Sequence, residues 1–311
     1  MKIVVTGGTG FLGTRLVECL GQDGHEVRVV SRSRGYDITR LDTLGSVFDG
    51  AETVFHLAAL VQSRPGPFED TNVLGLENVL KTCETRHVGR LVYVSSFTVF
   101  GPSRDAIHDE HSVPRRDHFF HGYDRSKYHA FRIAEQWKNR LPMNIIFPTV
   151  VYGPGPLTEG NLMVRLFQRW RLTRLAPLPD YGKPRWNFVY VNDVVDGMMK
   201  CLRAQAGEDF ILGGNNSSLK ELYAAFRLVS GFPMLAAGLP VWCFKASSYL
   251  EDCGSRLAGF PPLVLPSTAD FFWANWQFSS EKARGQLGYS PCSMREGLET
   301  TLQWMKERRM I

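Results

Sequence analysis

Among the 311 residues no two cysteines stand in a C-x-x-C pair, and Cys19, Cys83, Cys201, Cys243, Cys253 and Cys292 are scattered along the chain. Six cysteines without paired spacing read as free, reduced thiols. No block of five or more like charges occurs. The densest basic stretches, Arg32 with Arg34, Arg171 with Arg174 and Arg308 with Arg309, are short. A net charge of +5 spread in this way gives little support to nucleic-acid binding. No stretch has the roughly 20 apolar residues that a membrane helix needs. The nearest approach, Met234 to Cys243, is soon followed by Lys245. The opening MKIVVTGG meets glycines where a signal peptide would have its apolar core. His108, His111, His121 and His129 have no metal-ligand spacing and read as surface or loop residues, so no metal is expected. The expectation is a cytoplasmic, soluble protein with no membrane or nucleic-acid partner.

What is present is an ordinary globular composition, 44% hydrophobic and 22% charged. The first half alternates two kinds of segment. Lys2–Thr6, Glu26–Val30, Thr53–Ala59, Arg90–Ser95 and Met143–Val150 are short β-branched or apolar runs. Phe11–Leu20, Asn72–Thr85 and Gly122–Lys138 have helical spacing. Such alternation implies a parallel sheet covered by helices on both faces. Only Ser31 to Tyr36 separate the second strand from Asp37-Ile38, too few for a crossover and a third strand. The chain is therefore expected to turn directly into a helix around Leu41–Val47. In the second half, Trp186–Val191 is expected to return to the sheet, Asp209–Leu212 reads as a further strand, and Leu219–Val229 and Met294–Lys306 as amphipathic helices. Pro233 to Pro266 gives no clean period. The fold class is α/β, a Rossmann-type doubly wound parallel sheet with a smaller C-terminal substrate lobe. Residues 1–152 with a return segment near 186–214 would form the dinucleotide domain. Residues 153–185 and 215–311 would form the lobe.

The run Val4-Val5-Thr6-Gly7-Gly8-Thr9-Gly10-Phe11-Leu12-Gly13 is a strand, a glycine turn and a helix start. Glycines there permit positive φ, let backbone N–H groups approach a pyrophosphate, and allow close helix–strand packing. The helix N-terminus then faces the phosphates. An NAD site usually has Asp or Glu about 20 residues on, to bond the ribose 2′-OH. Here the second strand ends in Ser31-Arg32-Ser33-Arg34. A guanidinium suits a 2′-phosphate, so NADP(H) is favoured over NAD.

Ser96 ends the strand-like run Val92-Tyr93-Val94-Ser95-Ser96, where ligands sit in open α/β sheets. Tyr123 and Lys127 stand four apart on a helix and so share a face. An ammonium beside a phenol lowers the phenol's pKa and brings it nearer the range of general acid–base work.

Six motifs in order carry a resemblance: Gly7-x-x-Gly10-x-x-Gly13, His56-Leu57-Ala58-Ala59, Asn72-Val73-Leu74-Gly75, Ser95-Ser96-Phe97-Thr98-Val99-Phe100-Gly101, Tyr123-x-x-x-Lys127 and Val151-Tyr152-Gly153-Pro154-Gly155. The endings Phe278-Ser279-Ser280-Glu281-Lys282-Ala283 and Leu287-Gly288-Tyr289-Ser290-Pro291 extend it. From residue 1 to about 306 the chain resembles the extended short-chain dehydrogenase/reductase family, also called the NAD-dependent epimerase/dehydratase family. The resemblance implies that Tyr123 donates or accepts the proton, Ser96 bonds the substrate oxygen, and Lys127 also holds the nicotinamide ribose. It further implies cofactor contacts from Gly7, Gly10, Phe11, Leu12, Gly13, Ser31, Arg32, Arg34, Asp37, Ile38, Ala58, Ala59, Asn72 and Pro148, with Asp37-Ile38 at the adenine. The plainer reading is close packing for the alanines and a helix cap for Asn72. A homodimer through the helices near 72–85 and 123–138 is also implied.

Nucleotide-sugar members of that family carry an arginine in the strand after the substrate loop and another in a late R-x-G-D run. This chain has Trp186 at the first position, with Arg185 one place early, and Phe272-Trp273-Ala274-Asn275-Trp276 without R-x-G-D. Phe210 to Leu222 is more similar to the dihydroflavonol-reductase-like and hydroxysteroid-dehydrogenase-like branch. Phe271, Phe272, Trp273 and Trp276 suit an apolar substrate wall or a packed lobe core equally well. Where the family has Glu after the motif lysine and Arg before its proline, this chain has Phe131 and Phe147, expected to touch in place of an ion pair. The reading is an NADP(H)-dependent oxidoreductase acting on the carbonyl or alcohol of a fairly apolar small molecule. A nucleotide-sugar epimerase or dehydratase with retained NAD, and a non-catalytic dinucleotide sensor, are the alternatives.

Overall fold

A computed structural model describes the chain except residues 62–64, 105, 115–118, 259–263 and 267. Its elements in order are β1 (Lys2–Thr6), α1 (Phe11–Gln22), β2 (Glu26–Val30), β3 (Thr53–His56), α2 (Gly75–Thr85), β4 (Arg90–Val94), α3 (Gly122–Trp137) and β5 (Met143–Pro148). They continue with β6 (Val150–Tyr152), α4 (Leu162–Thr173), β7 (Leu175–Pro179), β8 (Arg185–Tyr190), α5 (Val191–Lys200) and β9 (Asp209–Leu212). The rest are β10 (Asn215–Ser218), α6 (Leu219–Ser230), β11 (Leu235–Leu239), α7 (Val241–Ala258), α8 (Glu281–Leu287) and α9 (Met294–Glu307).

Six parallel strands form the main sheet in the order β2-β1-β3-β4-β5-β9. Its strands are buried on both faces, which is why they read as continuous apolar runs. Leu16 and Leu20 of α1, Val194 and Met198 of α5 and Ala283 of α8 pack on one face. Leu76 and Leu80 of α2 and Ala130, Phe131 and Ala134 of α3 pack on the other. The chain has the mostly parallel, helix-flanked Rossmann-type architecture.

Three local expectations change. The stretch 41–47 is not one helix but two 3₁₀ turns, Leu41–Thr43 and Ser46–Phe48, which bury Leu44, Val47 and Phe48. They lie beside the free edge of β2, where Arg28 donates to the carbonyls of Val47 (3.4 Å) and Asp49 (2.9 Å). A short covered segment replaces the missing strand and blocks edge pairing. Second, β8 does not join the main sheet. It pairs with β6 and β10 in a separate three-stranded sheet, and β9 takes the place beside β5. Third, the stretch without a period contains β11, paired in parallel with β7, and the 18-residue helix α7; residues 259–263 of that stretch lie outside the described residues. The Phe131 and Phe147 rings do meet, with centroids 5.6 Å apart at 65°.

Candidate active site

The glycine turn lies at the C-terminal end of β1. Gly7 has φ +72° and donates to Val30 O at 2.8 Å. A Cβ at Gly7 would stand 2.7 Å from Ala58 N, and one at Gly13 would overlap the Gly7 carbonyl oxygen. Both positions exclude side chains. Gly10 caps α1 without a side chain, so no side chain satisfies the first-turn N–H groups of Phe11, Leu12 and Gly13. An anion fits such a helix start.

Behind the turn the polar groups bind one another. Thr6 Oγ1 lies 2.7 Å from His56 Nδ1 and accepts from Ala58 N at 3.2 Å. Burial, with the Lys127 charge adding to it, pushes His56 down to about 3, so the ring stays neutral. Asn72 is no helix cap: it accepts from Leu60 N (2.6 Å) and donates to Leu60 O (3.2 Å) and Ser126 Oγ (2.9 Å). Ser126 Oγ in turn donates to Tyr123 O at 2.8 Å. The loop carrying Ala58 and Ala59 is thereby tied to the helix carrying the tyrosine.

Ser96, Tyr123 and Lys127 converge from two elements, the end of β4 and the first turns of α3. Ser96 follows β4 and caps a 3₁₀ turn; its Oγ accepts from Thr98 N (3.3 Å) and Thr98 Oγ1 (3.0 Å). Its hydroxyl is near enough to the Tyr123 phenol to favour the phenolate. Lys127, buried on α3, donates to Val94 O at 3.0 Å, with Nζ 5.3 Å from the Tyr93 ring centroid. Burial pushes the Lys127 ammonium down to about 7. The expected lowering of Tyr123 is not seen. Desolvation dominates and pushes the phenol up to about 12, the Ser96 hydroxyl pulling the other way. An ammonium destabilised by its own burial and held by a carbonyl does little for its neighbour.

The residue after the tyrosine was not a sequence candidate. Asp124 is only 6% exposed, and the N–H groups of Phe120 and His121 donate to its carboxylate. Its Oδ2 is buried with no partner. Burial pushes the carboxyl up to about 7. Asp124 and Tyr123 line a cavity of about 140 Å³ with Phe120, His121, Leu162 and Phe272. His121, read as a surface or loop residue, instead caps α3, its Nδ1 accepting from Tyr123 N at 3.2 Å. The only sequence signal for Asp124 was an acid in a helix first turn, which ordinarily means a cap.

The remaining sequence candidates lie apart from this cluster. Arg32 and Arg34 are exposed in a 3₁₀ turn after β2, beside Ser31. Arg34 borders an open groove along the β2 edge with Tyr36 and Val47. Asp37 accepts from Thr39 N (2.9 Å) and Thr39 Oγ1 (2.8 Å), which with nearby Arg32 and Arg40 holds its carboxyl low. Ile38 is buried against Gly75, and Pro148 ends β5 beside Leu212. Trp186 is fully buried and donates to Ala274 O at 3.0 Å. Arg185 is held by Asn216 O (2.8 Å) and Glu221 (3.4 Å).

This sheet, glycine turn and Ser–Tyr–Lys cluster define a dinucleotide-dependent enzyme class. A model of the NAD dependent epimerase/dehydratase family matches residues 3–213, and the chain belongs to that family. It is similar to 2-alkyl-3-oxoalkanoate reductase of Stenotrophomonas maltophilia, with 28% identity over 96% of this chain and 97% of that protein. It is similar to 3 beta-hydroxysteroid dehydrogenase/Delta 5→4-isomerase of Mycobacterium tuberculosis, with 26% identity over 93% of this chain and 86% of that protein. Among solved structures, the dTDP-glucose 4,6-dehydratase of Streptomyces venezuelae with NAD bound matches with a TM-score of 0.79 and 22% identity, covering 99% of this chain and 98% of that one. The chain is an enzyme of the extended short-chain type. Among the described residues no helix is long and apolar enough to cross a membrane.

Proposed function

We propose that the protein is an NADP(H)-dependent oxidoreductase that interconverts a carbonyl and an alcohol on a fairly apolar small molecule. The observation carrying this reading is Tyr123, with the Ser96 hydroxyl near its phenol and a largely apolar cavity beside it. The glycine turn and the uncapped start of α1 fit a dinucleotide pyrophosphate. When bound there, the nicotinamide supplies or takes the hydride.

The chain's own residues do the rest. Ser96, held by Thr98, donates to the substrate oxygen and orients it. Tyr123 passes its phenolic proton to that oxygen in reduction and takes it back in oxidation. Lys127 stands one helical turn further on, and its charge opposes the desolvation that holds the phenol high once an anionic cofactor favours the ammonium. Asn72 and Ser126 fix the helix that carries both. Arg32 is assigned to the 2′-phosphate as an exposed guanidinium in the turn that follows β2. The homodimer through α2 and α3 remains part of this proposal.

The relative named as a reductase of 2-alkyl-3-oxoalkanoates favours the carbonyl reading, as does the engagement of Arg185 elsewhere. The test is net cofactor consumption against a panel of ketones, aldehydes and nucleotide sugars. Stoichiometric NADPH oxidation with apolar ketones is expected. Conversion of a nucleotide sugar without net consumption would replace this reading with an epimerase or dehydratase.

A further inference from the structure

Helix α7 faces the opposite way from an ordinary surface helix. Such a helix buries its apolar stripe and shows polar residues to water. In α7 the buried positions are Phe244, Ser248 and Ser255. The two serine hydroxyls donate within their own helix, to Lys245 O at 2.6 Å and Asp252 O at 2.8 Å. The outward face is apolar. Trp242, Ala246, Tyr249, Leu250, Cys253 and Leu257 stand at i, i+4, i+7, i+8, i+11 and i+15, which is one stripe, and all are exposed. Trp242 is 72%, Leu250 77% and Leu257 91% exposed. At 1.5 Å per residue the stripe is about 22 Å long. Single exposed leucines need no explanation, but a continuous apolar strip marks a binding surface.

Neighbouring elements continue the strip and give it a sign. Leu172 and Leu235 are also exposed. Leu235 lies in register with Leu175, and its N–H donates to Arg174 O at 3.0 Å. Leu175 and Leu250 border one cavity, which sets this group beside α7. Helix α4 with Arg174 behind it, taken together with α7, holds six cations, Arg165, Arg169, Arg171, Arg174, Lys245 and Arg256, against two acids, Glu251 and Asp252. Both acids are engaged within the set, Glu251 with Arg169 and Asp252 with Arg256. The excess of cations here is most of the chain's net charge of +5. A second copy docked on the same face would set two such excesses against each other. An anionic partner suits the charge. Trp, Tyr and Leu beside Lys and Arg is the make-up of helices that lie in a bilayer interface.

We propose that α7 seats the protein on an anionic lipid surface, with Trp242, Tyr249, Leu250 and Leu257 entering the headgroup region and Arg174 and Arg256 meeting the lipid phosphates. The expectation of no membrane partner rested on the want of a spanning run. A helix lying in the plane of the interface needs none.

The test is flotation of the full chain with phosphatidylcholine vesicles, with and without phosphatidylglycerol. The partition coefficient should be at least about tenfold higher on the anionic vesicles. It should fall as salt rises from about 0.1 M to about 1 M and the screening length shrinks from about 10 Å to about 3 Å. Trp242→Ser combined with Leu257→Ser should lose at least about tenfold on the anionic vesicles. Arg174→Glu combined with Arg256→Glu should lose about as much there and little on neutral vesicles. All four positions are exposed, so the unfolding midpoint and dinucleotide binding should hold in both variants.

Equal binding to neutral and anionic vesicles, or to neither, would overturn the proposal. So would unchanged binding in the Trp242 and Leu257 variant. A lipid-free dimer that this variant dissociates in sedimentation would assign the stripe to a second copy instead.

Discussion

The two ends of the proposed site are built differently. At the cofactor end many side chains satisfy one another, Thr6 with His56, Asn72 with Leu60 and Ser126, Lys127 with Val94, although Tyr93 Oη and Ser95 Oγ beside them are buried without partners. Apart from the exposed Arg32 and Arg34, the donors left for a ligand there are backbone N–H groups at the start of α1. At the substrate end a buried side-chain oxygen, Asp124 Oδ2, is left without a partner beside Tyr123. Backbone recognition needs glycine and little else, so it suits a cofactor shared by a whole family. An orphaned side chain in an apolar wall suits selection of one substrate.

The largest effect should come from closing the cofactor end. Gly13→Val places atoms on the Gly7 carbonyl, and dinucleotide binding should be lost in a fluorescence titration while the fold persists. Retained binding would mean that the turn is merely structural. The aromatic contact under the site comes next. Phe131→Ala should cost about 3 kcal/mol in denaturant unfolding, as a buried aromatic truncation does. A cost near zero would show that the Phe131–Phe147 pair carries no stability.

Asp124 tests the substrate end. Its folded pKa, near 7, lies above the ordinary carboxylate value, so the folded state holds a proton that the unfolded state releases. The group's contribution is greatest below about pH 4 and is lost as pH rises through 7. Asp124→Asn should therefore gain on the wild type between pH 4 and pH 8, by on the order of 2 kcal/mol. A pH-independent difference in unfolding midpoint would show that the carboxyl titrates normally. The smallest effect belongs to Arg32. Arg32→Ala should shift the NADPH/NADH preference about tenfold toward NADH, as loss of one charged hydrogen bond would. No shift would remove the 2′-phosphate assignment.

The difference between the two ends also explains what could be read in the sequence. Parallel strands buried on both faces are apolar throughout, and the glycine turn excludes side chains for local reasons, so both were legible. Ser96, Tyr123 and Lys127 were legible because a strand end and an i, i+4 pair fix where they face. Helix α7 was not. Trp242, Tyr249, Leu250 and Leu257 are exposed on one side of it while Phe244 is buried on another, so no single period emerges. Asp124 carries only the pattern of an acid in a helix first turn, and only the fold shows that one oxygen is left over. The segment at 41–47 was misread because its buried residues, Leu44, Val47 and Phe48, fit a helix face as well as two 3₁₀ turns.

The central claim is that Tyr123 moves the proton at a carbonyl oxygen. Single-turnover reduction of an apolar ketone by bound NADPH, comparing Tyr123→Phe with the wild type at matched cofactor occupancy, tests it most directly. The variant should bind the cofactor as before and lose at least about a hundredfold in the rate of NADPH oxidation. Oxidation at the wild-type rate would contradict the account.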